Sequence, residues 1–211
     1  EFAGHCRKLS ALAVTNGHPV TPDDVVLSPF GMGTITGEYI TATLQFDGNI
    51  TSTLLQHRFP QIISRGSTME IYGTEGRIFW SSDGAWRLSD PYYLPGSKQN
   101  AWEPLEPIFP HDYDPLSKSD VNEYWFVEEY VKALDENRDH ECSGAEGHHV
   151  LEIIMGIFES AAFGKSIDLP QKHRDHPLLR WRQGHGYSIP APVPRDYEQW
   201  LKAEDHRLGR G

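Results

Sequence analysis

The sequence predicts an α+β fold, with an open, mainly antiparallel β-sheet and helices packed on one face. Three observations predict it. Apolar and polar residues alternate over residues 39–46, short strand-like segments joined by tight turns continue to residue 88, and the helical segments with capping residues begin only at residue 120. Strands that precede helices along a chain are typical of an antiparallel sheet whose helices lie on one side.

The clearest predicted element is a β-hairpin centred on its turn. Ile40, Ala42 and Leu44 alternate with polar residues, and this period of two indicates a half-buried strand. The sequence Asp47-Gly48-Asn49 suits a tight turn because glycine and asparagine accept positive φ angles. The chain is predicted to return as a second strand over residues 50–59. Further short strands are predicted at 68–72, 77–80, 85–88 and 166–169.

Two helices are predicted from their capping residues. Asp120 with Glu123, and Ser143 with Glu146, have the spacing of helix N-termini. The second helix is predicted to end at Gly164, a residue suited to a C-terminal cap. Its predicted buried face consists of Val150, Leu151, Ile154, Ile157, Phe158 and Ala161.

The ends of the chain are predicted differently from its centre. Scattered apolar residues in 1–14 predict the end of a helix. The proline-rich segment 171–211 is predicted to be mostly extended, with a last surface helix at 195–208. We therefore predict one domain over residues 1–170 and a C-terminal extension, residues 171–211, packed on it.

The composition excludes several classes of protein. The chain has 211 residues with 19 Lys and Arg against 30 Asp and Glu, a net charge of −11. Nucleic acid is therefore not expected as a partner, because its phosphates need a basic surface. A membrane is not expected either, because no long apolar run occurs. Cys6 and Cys142 lack metal-site or redox spacing, so a reduced, cytoplasmic protein is expected. The chain starts at Glu1 without methionine, and we expect a longer parent protein.

Several motifs together resemble a known family. Residues 37–46, the segment Ile71-Tyr72-Gly73-Thr74-Glu75-Gly76, the helix 147–160 and the closing Leu169-Pro170 are similar to the C-terminal domain of the Gfo/Idh/MocA oxidoreductases. The resemblance spans roughly residues 1–170. It implies a dihydrodipicolinate-reductase-like C-terminal domain that binds a sugar or polyol and forms homo-oligomers. It also implies NAD or NADP as cofactor, held by a preceding Rossmann domain. Because no G-x-G-x-x-G motif occurs here, we expect no cofactor on this chain alone.

The resemblance also implies candidate site residues. The family carries Asp-x-x-x-His between its domains, and Glu1-Phe2-Ala3-Gly4-His5 has that spacing, which implies His5 as a catalytic proton relay. Where the family has a further acid, this chain has Lys8. His57 and Arg58, at the end of the second hairpin strand, are substrate-binding candidates. The alternative interpretation of these two residues is a polar strand edge or a subunit contact.

Aromatic and metal-ligand patterns give further candidates. Tyr92, Tyr93 and Trp102 can stack on a sugar ring or pin a loop. His148 with Glu152, and His173 with His176, have the spacing of metal-ligand pairs, but neither pair has a third ligand at a fixed distance, so we predict no metal site.

Three functions remain open from the sequence. The first is the substrate-binding and oligomerisation portion of an NAD(P)-dependent sugar or polyol oxidoreductase, inactive on its own. The second is a stand-alone, non-catalytic binding or assembly module. The third is part of an NAD-dependent glycoside-cleaving enzyme. The threonines predicted on the outer hairpin face, which suit a subunit contact through the sheet, are Thr41, Thr43, Thr51 and Thr53.

Overall fold

The structure is a computed structural model. It describes residues 3–28, 33–57, 68–81, 83–89, 102–106, 108–114, 120–190 and 196–207. It forms two compact units, Glu1–Phe59 with Cys142–Gly211, and Pro60–Glu141. The strands are β1 (Cys6–Thr15), β2 (His18–Pro19), β3 (Val26–Leu27), β4 (Thr34–Ile35), β5 (Tyr39–Phe46), β6 (Thr51–His57), β7 (Thr68–Gly73), β8 (Gly76–Ser81), β9 (Gly84–Leu88), β10 (Glu103–Leu105) and β11 (Ile167–Asp168). The helices are α1 (Val121–Asp135), α2 (Gly144–Phe163), α3 (Pro177–Gly184) and α4 (Tyr197–Arg207).

The first unit contains an antiparallel sheet with the order β11–β1–β5–β6, to which β2 adds by pairing with β1. The predicted hairpin is confirmed, since Tyr39 pairs with His57 and Gln45 pairs with Thr51. Gly48 and Asn49 in its turn have φ angles of 67° and 62°. The α+β class with antiparallel sheets is therefore confirmed.

The prediction of a helix end in residues 1–14 is wrong, because β1 occupies most of that segment. Leu9, Ala11 and Ala13 alternate into the core, whereas Leu12 on the opposite face is 72% exposed. The small alanines suit a strand covered by a helix, and Gly156 of α2 lies against Leu9 there. A Cβ on Gly156 would lie 3.1 Å from the Leu9 Cδ2 atom.

Both predicted ends of α2 are confirmed. The Ser143 hydroxyl accepts a hydrogen bond from the Glu146 N–H at 3.3 Å, and Gly164 ends the helix in the left-handed region. The predicted buried face is partly wrong. Ile157 and Phe158 are buried, but Val150, Leu151 and Ile154 are exposed. The rest of the buried set is small or polar and comprises Glu152, Gly156, Glu159 and Ser160.

The segment after Pro170 is more helical than predicted. It contains α3, whose Leu178 and Trp181 belong to the main hydrophobic core, as well as the predicted last helix, α4. Side chains of α2 also hold this segment. Glu159 accepts a hydrogen bond from the Gln171 amide at 2.9 Å and pairs with Arg180 at 3.0 Å.

The second unit is a meander of four antiparallel strands in the order β10–β9–β8–β7. The strands predicted at 68–72, 77–80 and 85–88 are confirmed. α1 begins at the predicted Asp120, whose carboxylate accepts from the Asn122 N–H at 2.8 Å. A hydrogen bond from Arg138 to Glu129 lowers the pKa of that carboxyl to about 2. No helix in the described ranges combines the length and hydropathy that a membrane crossing requires.

Candidate functional site

His5 lies at the edge of the first unit, where its main chain is fixed against the hairpin turn. Its N–H donates to the Asp47 carboxylate at 3.2 Å, and its carbonyl accepts from the Asp47 N–H at 3.1 Å. Gly4 permits this close approach. It has a φ of 68°, and a Cβ there would lie 3.2 Å from the Cβ of Asp47. The His5 side chain remains exposed.

Asp47 is itself held in place by Arg7. The guanidinium donates to both carboxylate oxygens, at 2.6 Å and 3.0 Å. The hydrogen bond from Arg7 lowers the pKa of Asp47, and the weaker main-chain hydrogen bond from His5 acts in the same direction. The carboxylate is therefore ionised at neutral pH and acts as a constant acceptor for the His5 amide.

His149 of α2 lies beside His5, and the two rings meet edge to face with centroids 4.7 Å apart. The Nε2 atom of His149 accepts a hydrogen bond from the Cys6 N–H at 3.0 Å. Its Nδ1 atom lies 4.0 Å from Oε2 of the buried Glu152. Glu152 also accepts a hydrogen bond from Arg174. The polar and titratable side chains at this edge therefore form a continuous series of contacts from Asp47 through His5, His149 and Glu152 to Arg174.

Cys6 is not a nucleophile candidate. Burial raises the pKa of its thiol, so the side chain stays protonated at neutral pH and packs as a small apolar group.

A cleft of about 290 Å³ has Glu152 among its lining residues. The two histidine-containing pairs singled out in the sequence meet there, since His148 with Glu152 and His173 with His176 all line it. Burial lowers the pKa of His176. No cluster of three or more His, Cys, Asp or Glu side chains that could hold a metal ion occurs within the described ranges. The remaining lining residues are Leu151, Met155, Gln171, Arg174 and Asp175.

The structure does not bring His57 near His5. His5 lies at the turn end of the hairpin, whereas His57 lies opposite Tyr39 at the other end of β5. At a rise of about 3.3 Å per residue, the eight residues of β5 separate the two ends by about 23 Å. Arg58, Tyr92 and Tyr93 lie outside the described residues. Trp102 packs against Phe79 in the second unit, with ring centroids 6.3 Å apart.

Sequence reasoning missed Asp47 and His149. The sequence places Asp47 in a predicted turn, and nothing in the local pattern distinguishes His149 from its neighbour His148. A detectable signal was present in α2, where His149, Glu152, Gly156 and Glu159 recur at helical spacing. Such a stripe of small and polar residues marks a helix face that buries hydrogen-bonding groups.

Neither a protein-family model nor a curated protein matches the sequence. Solved structures do match. Levoglucosan dehydrogenase in complex with NADH and levoglucosan has a TM-score of 0.55 and 19% identity, covering 79% of this chain and 46% of that one. An NAD binding oxidoreductase from Klebsiella pneumoniae has a TM-score of 0.56 and 13% identity, covering 80% of this chain and 46% of that one. An oxidoreductase domain protein from Kribbella flavida has a TM-score of 0.54 and 16% identity, covering 79% and 45%.

The chain shares the fold of part of these oxidoreductases. It spans less than half of their length. At 13% to 19% identity, the shared oxidoreductase fold transfers no residue role from one protein to the other. The functions of His5 and its neighbours must therefore be argued from their own contacts.

Proposed function

We propose that this chain is the substrate-binding and oligomerisation portion of an NAD(P)-dependent sugar or polyol oxidoreductase. One observation carries the proposal. About four fifths of the chain matches less than half of levoglucosan dehydrogenase, whose structure contains NADH and levoglucosan. A sugar or polyol is thus the substrate class that the likeness supports best.

Within this proposal the chain is a C-terminal domain of the Gfo/Idh/MocA type, with the dihydrodipicolinate-reductase-like arrangement. The sequence motifs support this assignment. Residues 71–76 span the end of β7, the turn and the start of β8, and α2 leads into β11 in the order that the motifs imply. The boundary at residue 170 is retained as a proposal, with residues 171–211 as an extension packed on the domain.

The described residues do not fit a dinucleotide. A dinucleotide phosphate is bound where a parallel strand turns through glycines into a helix N-terminus. Here the strands pair antiparallel, and the sequence holds no G-x-G-x-x-G motif. We therefore place the cofactor on another part of the parent protein.

This placement predicts that residues 1–211 alone bind no NADH. Isothermal titration calorimetry with NADH is expected to give no heat of binding at micromolar concentrations, because the part of the chain that the structure describes contains no phosphate-binding loop. The positive control is the longer polypeptide encoded with the upstream reading frame. Micromolar binding to residues 1–211 would contradict the proposal, and a start codon directly upstream of Glu1 would favour a stand-alone binding module.

We propose His5 as the residue that accepts and returns the proton of a substrate hydroxyl. An imidazole suits this role because its usual pKa lies near neutrality. Its exposed ring is available to a ligand, while its main chain is held by Asp47. His57 is retained as a substrate-binding candidate at a separate location.

The sheet face opposite α2 is proposed as the contact between subunits. It presents Leu12 and Leu55, which are 72% and 62% exposed, and Leu12 and Leu55 both neighbour Thr41 in the sheet register. Flat apolar surface of this kind is stabilised when a second copy covers it. The surrounding threonines, which lie on the same face by register, are Thr41, Thr43, Thr51 and Thr53.

The subunit proposal predicts the effect of a charge on this face. Leu12→Glu is expected to shift the protein from oligomer to monomer, because apposed copies would bury an unpaired carboxylate. Molar mass from light scattering measures the change. Leu201→Glu, at a site of α4 that is 53% exposed, is the control and should leave the mass unaltered. An unchanged mass in Leu12→Glu would count against the face as an interface.

A further inference from the structure

Two hydrogen bonds and one ring contact define where the His5 side chain can lie. On one side, the main-chain N–H of His5 donates a hydrogen bond to the Asp47 carboxylate at 3.2 Å. On the other, the next amide of the chain, Cys6 N–H, is held by His149 Nε2 at 3.0 Å. The His5 ring then packs on the edge of the His149 ring, with centroids 4.7 Å apart.

The contacts of His149 specify its protonation state. An imidazole nitrogen that accepts a hydrogen bond from an amide must carry a lone pair, so Nε2 is unprotonated. A neutral ring then carries its proton on Nδ1, and that atom faces the Glu152 carboxylate at 4.0 Å. Arg174 donates a hydrogen bond to the other carboxylate oxygen of Glu152, Oε1. The charged and titratable groups around His149 thus include His5, Cys6, Glu152 and, through Glu152, Arg174.

We propose that His149, as its neutral Nδ1–H tautomer, is the positioning residue that fixes the imidazole of His5 for proton transfer. The inference rests on the proposed function of His5 and extends it to a second residue on another element. His149 itself need not touch the substrate. It acts by holding the Cys6 amide and by giving the His5 ring a surface against which to pack.

Two substitutions separate the hydrogen bond from the packing. His149→Gln keeps an acceptor near the position of Nε2 but loses the ring, whereas His149→Phe keeps the ring but loses the acceptor. In residues 1–211, we expect His149→Phe to speed hydrogen exchange of the Cys6 amide about fivefold, the effect of one lost hydrogen bond. We expect His149→Gln to stay within about twofold of the unsubstituted chain. His148→Phe, at the adjacent exposed position, is the matched control and should leave this exchange rate unaltered.

The tautomer is measured directly by long-range ¹H–¹⁵N correlation of the imidazoles. An Nδ1–H tautomer at His149 supports the inference, and an Nε2–H tautomer overturns it. Cys6 exchange in His149→Phe equal to that of the unsubstituted chain also overturns it. If His149 acted only by filling space, His149→Phe would change the exchange rate of the Cys6 amide less than His149→Gln does. This is the reverse of the order expected here.

The parent enzyme supplies a kinetic readout. His149→Phe should lower kcat for sugar or polyol oxidation with little change in KM, and it should cause no further loss in a His5→Ala background, because both act through His5. Full additivity of the two losses would overturn the inference. Absence of NAD(P)-dependent oxidation by the unsubstituted parent would instead overturn the proposed function, while the tautomer and exchange results on residues 1–211 would still decide how His5 is held.

Discussion

Gly76→Ala is expected to destabilise the four-stranded sheet of the second unit by about 3 kcal/mol. A Cβ on Gly76 would lie 2.3 Å from the carbonyl oxygen of Leu88, well inside van der Waals contact. The carbonyl oxygen belongs to the main chain and the Cβ position is fixed by the main chain, at the point where Arg77 of β8 pairs with Leu88 of β9. No side-chain rotation relieves the overlap, so the two strands must separate there. The φ of 153° at Gly76 is also one that other residues rarely adopt.

Gly73→Ala provides the matched control. It lies at the other end of the same turn, pairs with Gly76, and its added Cβ would meet the Gly76 carbonyl oxygen at 3.4 Å. This is an ordinary contact, so we expect a change within about 1 kcal/mol. The unfolding free energy of both variants is measured in urea, with amide exchange in β8 and β9 as the probe. Equal unfolding free energies for the two alanine variants would refute the assignment of Gly76 as a close-approach residue.

Elements determined by local sequence were predictable. The β5–β6 hairpin follows from the alternation around Ala42 and from the turn at Gly48, and both signals are complete within a few residues. The ends of α2 follow likewise from Ser143 and Gly164, because capping depends on hydrogen bonds within one helical turn.

Elements determined by packing partners were not predictable in the same way. β1 resembles a short helix end when its apolar residues are considered together, because exposed Leu12 is more hydrophobic than buried Ala11 and Ala13. Only the α2 helix covering this strand makes small residues the right choice for the inner face. The buried face of α2 escaped prediction for the same reason. Gly156 is buried there because it lets the helix approach Leu9 closely, and Ser160 is buried because its hydroxyl accepts a hydrogen bond from the Ala11 N–H.

The candidate site was predictable only in part. The spacing of residues 1–5 singled out His5, but Asp47 lies 42 positions from it along the chain and His149 lies 143 positions from the adjacent Cys6. Contacts at such separations arise from sheet register and helix docking. A single sequence records neither, so the connection from Asp47 through His149 to Arg174 emerges only in three dimensions.

Arg182→Met is expected to destabilise the first unit by about 3 kcal/mol. Arg182 is 9% exposed, and its guanidinium is held by main-chain carbonyls. Nη1 donates to Pro22 at 2.6 Å and to Val25 at 3.3 Å, and Nε donates to Ser188 at 2.9 Å. Methionine fills much of the same volume but leaves three carbonyl oxygens without these donors. The segment before β3 would then lose the hydrogen bonds that connect it to α3.

Two further variants test that explanation. Arg182→Lys should recover only part of the loss, because a single ammonium cannot reach carbonyls on both sides as the planar guanidinium does. Lys202→Met removes a cation that is 75% exposed and paired with Glu198 at 2.8 Å, and should cost less than about 1 kcal/mol. The unfolding free energy of the first unit is measured in urea for all three variants, with amide exchange in β1 and β5 as the probe. If Arg182→Met unfolded at the same urea concentration as Lys202→Met, the hydrogen bonds from Arg182 to the three carbonyls would contribute no net stability to the first unit.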